Sequence, residues 1–95
     1  MSSERERFLQ TLEAAHEFPG PYTFKIIGDN GPTLMDSAMA VVRSSLPRAT
    51  PEVSVRESGK GNHQSITVIV EVPNAEVVHD IYASLKTLPG LRMLL

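Results

Sequence analysis

The 95-residue chain contains no cysteine. A disulfide framework, a thiolate-ligated zinc or iron–sulfur centre and a thiol nucleophile are therefore excluded. Also missing is any apolar run near the ~18 residues that a membrane-spanning helix requires. The opening Met1-Ser2-Ser3-Glu4-Arg5-Glu6-Arg7 places acids ahead of the first apolar run, unlike a secretory leader. The expectation is a cytoplasmic chain that neither enters nor crosses a membrane. Low-complexity tracts are absent as well, and a 41% hydrophobic content suits one small globular domain.

No strong surplus of either charge exists, since the net formal charge is −2. Residues 1–42 carry three Lys/Arg against six Asp/Glu, residues 43–63 four against two, and residues 64–95 two against three. The one basic segment holds Arg43, Arg48, Arg56 and Lys60. This is weaker than the footprint of a duplex-binding protein, so nucleic acid is disfavoured as a partner.

What is present is a regular alternation of helical and extended patterns. Ser3 and Glu6 have the spacing of a capping box, and Phe8, Leu9, Leu12 and Ala15 follow at helical spacing, predicting a helix over about 4–16. We expect it to pack on its own domain. After Pro19-Gly20-Pro21, Tyr22–Ile27 reads as a strand with Tyr22, Phe24 and Ile26 on one side and Thr23, Lys25 and Ile27 on the other. Pro32 then suits a first helical turn, with Thr33 and Asp36 as an alternative cap. Leu34, Met35, Ala38, Met39, Val41, Val42 and Leu46 form the apolar stripe of a helix over about 32–45.

A hairpin follows from Pro51 to Pro73. Val53 and Val55 alternate in its first arm, and Ile66, Val68, Val70 and Val72 in its longer second arm, which should be central. Asn74 is placed to cap a helix carrying Val77, Val78, Ile81, Tyr82, Leu85 and Leu88, which Pro89-Gly90 ends. Leu91–Leu95 reads as a last strand, with Leu91, Met93 and Leu95 inward and Arg92 and Leu94 outward. The order βαββαβ predicts an α+β, ferredoxin-like domain. It has a four-stranded antiparallel sheet with the first and third strands central, and two helices on one face. An N-terminal helical extension, residues 1–17, precedes this single domain, residues 18–95.

Three blocks, Phe18–Gly28, Ser58–Val68 and the set Tyr82, Leu85 and Arg92-Met93-Leu94-Leu95, are similar to the YbeD-like family of small bacterial proteins, classed as a domain of unknown function. The resemblance covers about residues 17–95. It implies an ACT-like fold and supplies no activity. ACT domains commonly bind amino acids or other small effectors across paired domains. His63 departs from the family pattern, where an aromatic such as Tyr is expected, and the N-terminal helix is longer than usual.

The residues offer several candidate chemistries, each with a plainer explanation. Gly59-Lys60-Gly61 has the glycines of an anion-cradling loop, but it is followed by a strand and is not a Walker motif; a hairpin turn explains it equally. His16, His63 and His79 lack metal-ligand spacing. Ser65 near His63 does not constitute a triad. The Gly28-Asp29-Asn30-Gly31 loop is acidic, which opposes an acylphosphatase-like activity. The outer sheet face, expected to hold Thr23, Lys25, Ile27, Ser54, Arg56, Thr67, Ile69, Glu71, Arg92 and Leu94, lacks the stacking aromatics of RNA-recognition modules.

No catalytic residue, metal site or cofactor is assigned. The candidate interaction surface comprises Lys25, Arg56, Ser58, Gly59, Lys60, Gly61, Asn62, His63 and Arg92. The leading expectation is a non-enzymatic regulatory or protein-interaction module, with self-association as a homodimer open. The alternative is a small-molecule sensor for an amino acid or anionic metabolite, and an undetected enzyme is third.

Overall fold

A computed structural model describes residues 3–95, so the first two residues of the N-terminal extension lie outside the described residues. Helix α1 spans Glu4–Ala15, and the Ser3 hydroxyl oxygen accepts from the Glu6 main-chain N–H at 3.1 Å, which sets its start. Strand β1 runs Gly20–Asp29, helix α2 Pro32–Ser45, β2 Glu52–Glu57, β3 His63–Val72, α3 Ala75–Leu85 and β4 Leu91–Leu94. The four strands form one antiparallel sheet in the order β2-β3-β1-β4, the arrangement expected from the crossover rule.

The inward residues of the two central strands alternate as their spacing requires. Phe24, Ile26, Ile66 and Val68 are fully buried, beneath Ala38 and Val42 of α2 and Val78, Ile81 and Leu85 of α3. Gly31 replaces the Thr33 cap at the start of α2: it has φ 105°, a conformation glycine adopts without cost, and Pro32 fills the first helical position. Asn74 caps α3 through its Oδ1, which accepts from Val77 N at 3.0 Å. On α1, Leu12 is buried while Phe8 and Leu9 are partly so. Phe8 meets the rings of His79 and Tyr82 on α3 edge-on, so the extension packs on its own domain.

Two strands differ from expectation. β1 is longer than Tyr22–Ile27, because its ladder with β3 continues without interruption from Gly20 opposite Val72 to Asp29 opposite His63. In β4 the sidedness is corrected. Ile26 pairs with Leu94 and Ile27 with Met93, but Gly28 pairs with Leu91, leaving Arg92 as an extra residue in a β-bulge. The bulge resets the alternation, so Leu91 and Leu94 both pack on the core. Met93 and Leu95 turn outward and are more than half exposed. Val55 also differs: it lies opposite buried Ile66, on the helix side, yet is 44% exposed because the helices cover the centre of the sheet and leave this edge open.

Candidate functional site on the open sheet face

One face of the sheet is closed by helices and the other is open. On the open face, the pairing of Ser54 and Lys25 with Thr67, and of Arg56 with Ser65, brings two cations and three hydroxyls around a shallow cleft of about 370 Å³. Neither Lys25 nor Arg56 forms an ion pair among the described residues. Exposed Ile69, Met93 and Leu95 share this face. The cleft thus holds two cations without an ion pair, bordered by aliphatic side chains, with Glu52 and Glu71 farther along the same face, an arrangement suited to a partner that presents acids and apolar groups to the cleft.

The remaining candidate residues separate into two sets. Ser58 N donates to His63 O at 2.9 Å, and Gly61 N donates to Ser58 O at 3.0 Å, closing a four-residue turn at the hairpin tip. Gly61 has φ 69°, so glycine is needed there; Gly59 has no such requirement. Turn chemistry thus accounts for Gly61 and for the Ser58 and His63 main-chain groups. Lys60 and Asn62 are exposed at the tip. Arg92 is elsewhere: its Nε donates to Asp29 Oδ1 at 3.0 Å, so its charge is already matched.

Sequence reasoning missed the network behind this tip. Gln64, the one buried polar residue among the described residues, is only 4% exposed, and its Nε2 donates to Asp29 O at 2.8 Å and Gly31 O at 2.7 Å. Asn30 Nδ2 donates to Gly61 O at 2.9 Å, and Asn30 N donates to Asn62 O at 3.2 Å. These bonds tie the β1–α2 turn to the hairpin loop, while Asp29 holds Arg92 of β4. Gln64 occupies the inward position before Ile66, Val68, Val70 and Val72, and a polar residue in that series was the readable signal.

The histidines do not converge. His16 packs its ring against Tyr22, His79 lies 3.3 Å from the Asp80 carboxylate, and His63 is at the hairpin. A second depression, about 550 Å³ between α1 and α3, is lined chiefly by Phe8, Leu12, Tyr22, Tyr82, Leu94 and Leu95. Its hydroxyls are already engaged. Tyr82 donates to the Leu95 main-chain oxygen at 3.1 Å, so the 3.2 Å contact between the two tyrosines has Tyr22 as donor. Burial, and then the Tyr22 bond and charge, push the Tyr82 phenol well above its ordinary value, which keeps it a donor. The polar tips of this groove therefore serve the fold.

Fold and open face together define an ACT-like α+β domain. A crystal structure of the ACT domain from the GTP pyrophosphokinase of Chlorobium tepidum superposes with a TM-score of 0.58 at 10% identity, covering 79% of this chain and 94% of that one. The solution structure of a protein from H. pylori superposes at 0.70, with 16% identity over 84% of this chain and 85% of that one. The particular family follows from sequence. The model described as "Protein of unknown function (DUF493)" matches residues 13–95. The UPF0250 protein YbeD of Escherichia coli is 35% identical over 80 residues, 83% of this chain and 90% of that protein. A UPF0250 protein of Shewanella piezotolerans is 35% identical over 79 residues, 83% and 89% of the two chains. The chain belongs to the YbeD-like, DUF493 family. Among the described residues, no helix is long and apolar enough to cross a membrane.

Proposed function

We propose that the chain is a non-enzymatic, cytoplasmic interaction module that regulates a partner protein through its open sheet face. The observation that carries this reading is the pair of unneutralised cations, Lys25 and Arg56, set among hydroxyls and exposed aliphatics on a face that no helix covers. A flat surface of this kind suits a protein segment with acidic and apolar side chains better than it encloses a substrate. Reversal of one cation, Lys25→Glu, is expected to remove a specific partner from affinity capture while leaving the far-UV CD spectrum unchanged. Undiminished capture would refute the reading.

The second reading is an effector sensor for an anionic metabolite or amino acid, favoured by the same cleft, whose two cations and three hydroxyls suit a carboxylate or phosphate. It predicts a rise in thermal midpoint with particular anionic metabolites, abolished by Lys25→Glu, because a ligand of the native state stabilises by mass action. A flat screen across amino acids and phosphorylated metabolites would reject it.

A further inference from the structure

The depression between α1 and α3 has a charged end and an apolar end. Glu4, Arg7 and Lys86 stand at the first, where the start of α1 lies beside the close of α3. Leu12 and Tyr22 lie toward the second, near the point where His16, just past α1, packs on the Tyr22 ring. Phe8 and Tyr82 meet edge-on between them, and the end of β4 completes the lining. Two cations thus accompany one acid, and among the described residues none of the three forms an ion pair. Inside, the hydroxyls are committed: Thr11 Oγ1 donates to Arg7 O at 2.9 Å, and the two tyrosines bond to each other and to Leu95 O. A guest therefore meets apolar surface along the groove and charge at one end only.

We propose that this groove binds a medium-chain alkyl carboxylate, with its head on the Arg7 guanidinium and its tail along Phe8 and Tyr82 toward Leu12 and Tyr22. The dimensions agree. From Glu4 to Leu12, α1 borders the groove for about 12 Å at 1.5 Å per residue, the reach of an extended chain of about ten carbons. The volume of about 550 Å³ falls within the range of about 300–1,000 Å³ typical of ligand sites. A linear tail fits a groove that runs along two helices, whereas a sugar or nucleotide would set its hydroxyls against apolar side chains with no free partner. The α1 wall precedes residues 13–95, the segment that matches the family model, so the shared domain does not by itself define the site. It is also separate from the cleft of Lys25 and Arg56, which lies on the opposite side of the sheet.

The chain carries its own reporter, since it has two tyrosines and no tryptophan, and both tyrosines line the groove. Titration with nonanoate should give a saturable change in tyrosine fluorescence with a Kd below about 1 mM, confirmed by calorimetry. Hexanoate should bind about tenfold more weakly or worse, because three methylenes leave the groove. Nonylammonium, with the same tail and the opposite charge, should bind at least about fivefold more weakly than nonanoate. Arg7→Glu alters an exposed side chain in the first turns of α1 and should reverse that preference with the CD spectrum unchanged. Thr11→Trp, which places an indole in the groove from an exposed position, should abolish binding of both ligands, read by calorimetry. No saturable binding of nonanoate, equal affinity for nonylammonium, a preference untouched by Arg7→Glu, or binding retained in folded Thr11→Trp would overturn the proposal. So would tighter binding of the aryl carboxylate 3-phenylpropionate, which would place a ring where the alkyl chain is assigned. Lys25→Glu leaves the groove intact, so nonanoate binding and partner capture fail independently.

Discussion

Phe24→Ala is expected to cost about 3–5 kcal/mol of folding stability, the range for removing a large aromatic from a core. Phe24 is fully buried on central strand β1. Its ring lies 4.9 Å from that of Tyr22 and 5.1 Å from that of Tyr82, so it joins the sheet to α3 and to the surface on which α1 docks. Truncation leaves a void bounded by elements that pack on several other residues and cannot close around it. Against a total stability of about 5–15 kcal/mol for a domain, this is a large fraction, and urea denaturation should show it as a lowered midpoint. A change below about 1 kcal/mol would contradict the central placement of the ring.

Gly28→Ala should be nearly as damaging, at about 3 kcal/mol, toward the upper end of overpacking costs. The position does not have a positive φ; what it lacks is space. A Cβ there would lie 2.4 Å from the Gly90 main-chain oxygen and 2.4 Å from Leu34 Cδ2. Leu34 has some freedom to rotate. The Gly90 oxygen has little, because it accepts from Asp29 N at 2.9 Å and Gly90 itself sits in a positive-φ turn. Relief therefore requires β4 to move away from β1 at the bulge, which also loosens the Arg92–Asp29 pair. Thermal denaturation would report this as a fall of about 10 °C or more, given about 4–8 °C per kcal/mol in a domain of this size. A retained midpoint would show that β4 is not seated against Gly28.

These two residues also show what the sequence makes legible. Phe24 was readable because strand alternation has a fixed period; the helical period set the apolar stripes of α2 and α3, and the element order with the crossover rule placed β3 beside β1. Gly28 was not, since its constraint comes from Gly90, a residue 62 positions away that pattern does not connect to it. The reversed sidedness of Met93, Leu94 and Leu95 has the same origin: one extra residue at Arg92 resets the alternation, and nothing local in Leu91–Leu95 announces a bulge. Within the candidate surface, Lys25 and Arg56 were identified as cations, but their sharing of one cleft depends on strand register. Arg92 was grouped with them because its partner, Asp29, lies on a different strand. Gln64 stood in plain view as the polar member of an inward series, though its partners did not.

The proposal that the open sheet face, and not the helical face, carries recognition is tested most directly by affinity capture with two charge reversals, Lys25→Glu on the open face and Lys86→Glu on exposed helical surface. Both side chains are exposed, so both variants should retain the fold, as monitored by CD. The expected result is that Lys86→Glu retains the specific partner captured by the unsubstituted chain and Lys25→Glu loses it. Equal capture by both variants, or loss through Lys86→Glu alone, would contradict the assignment of function to the open face.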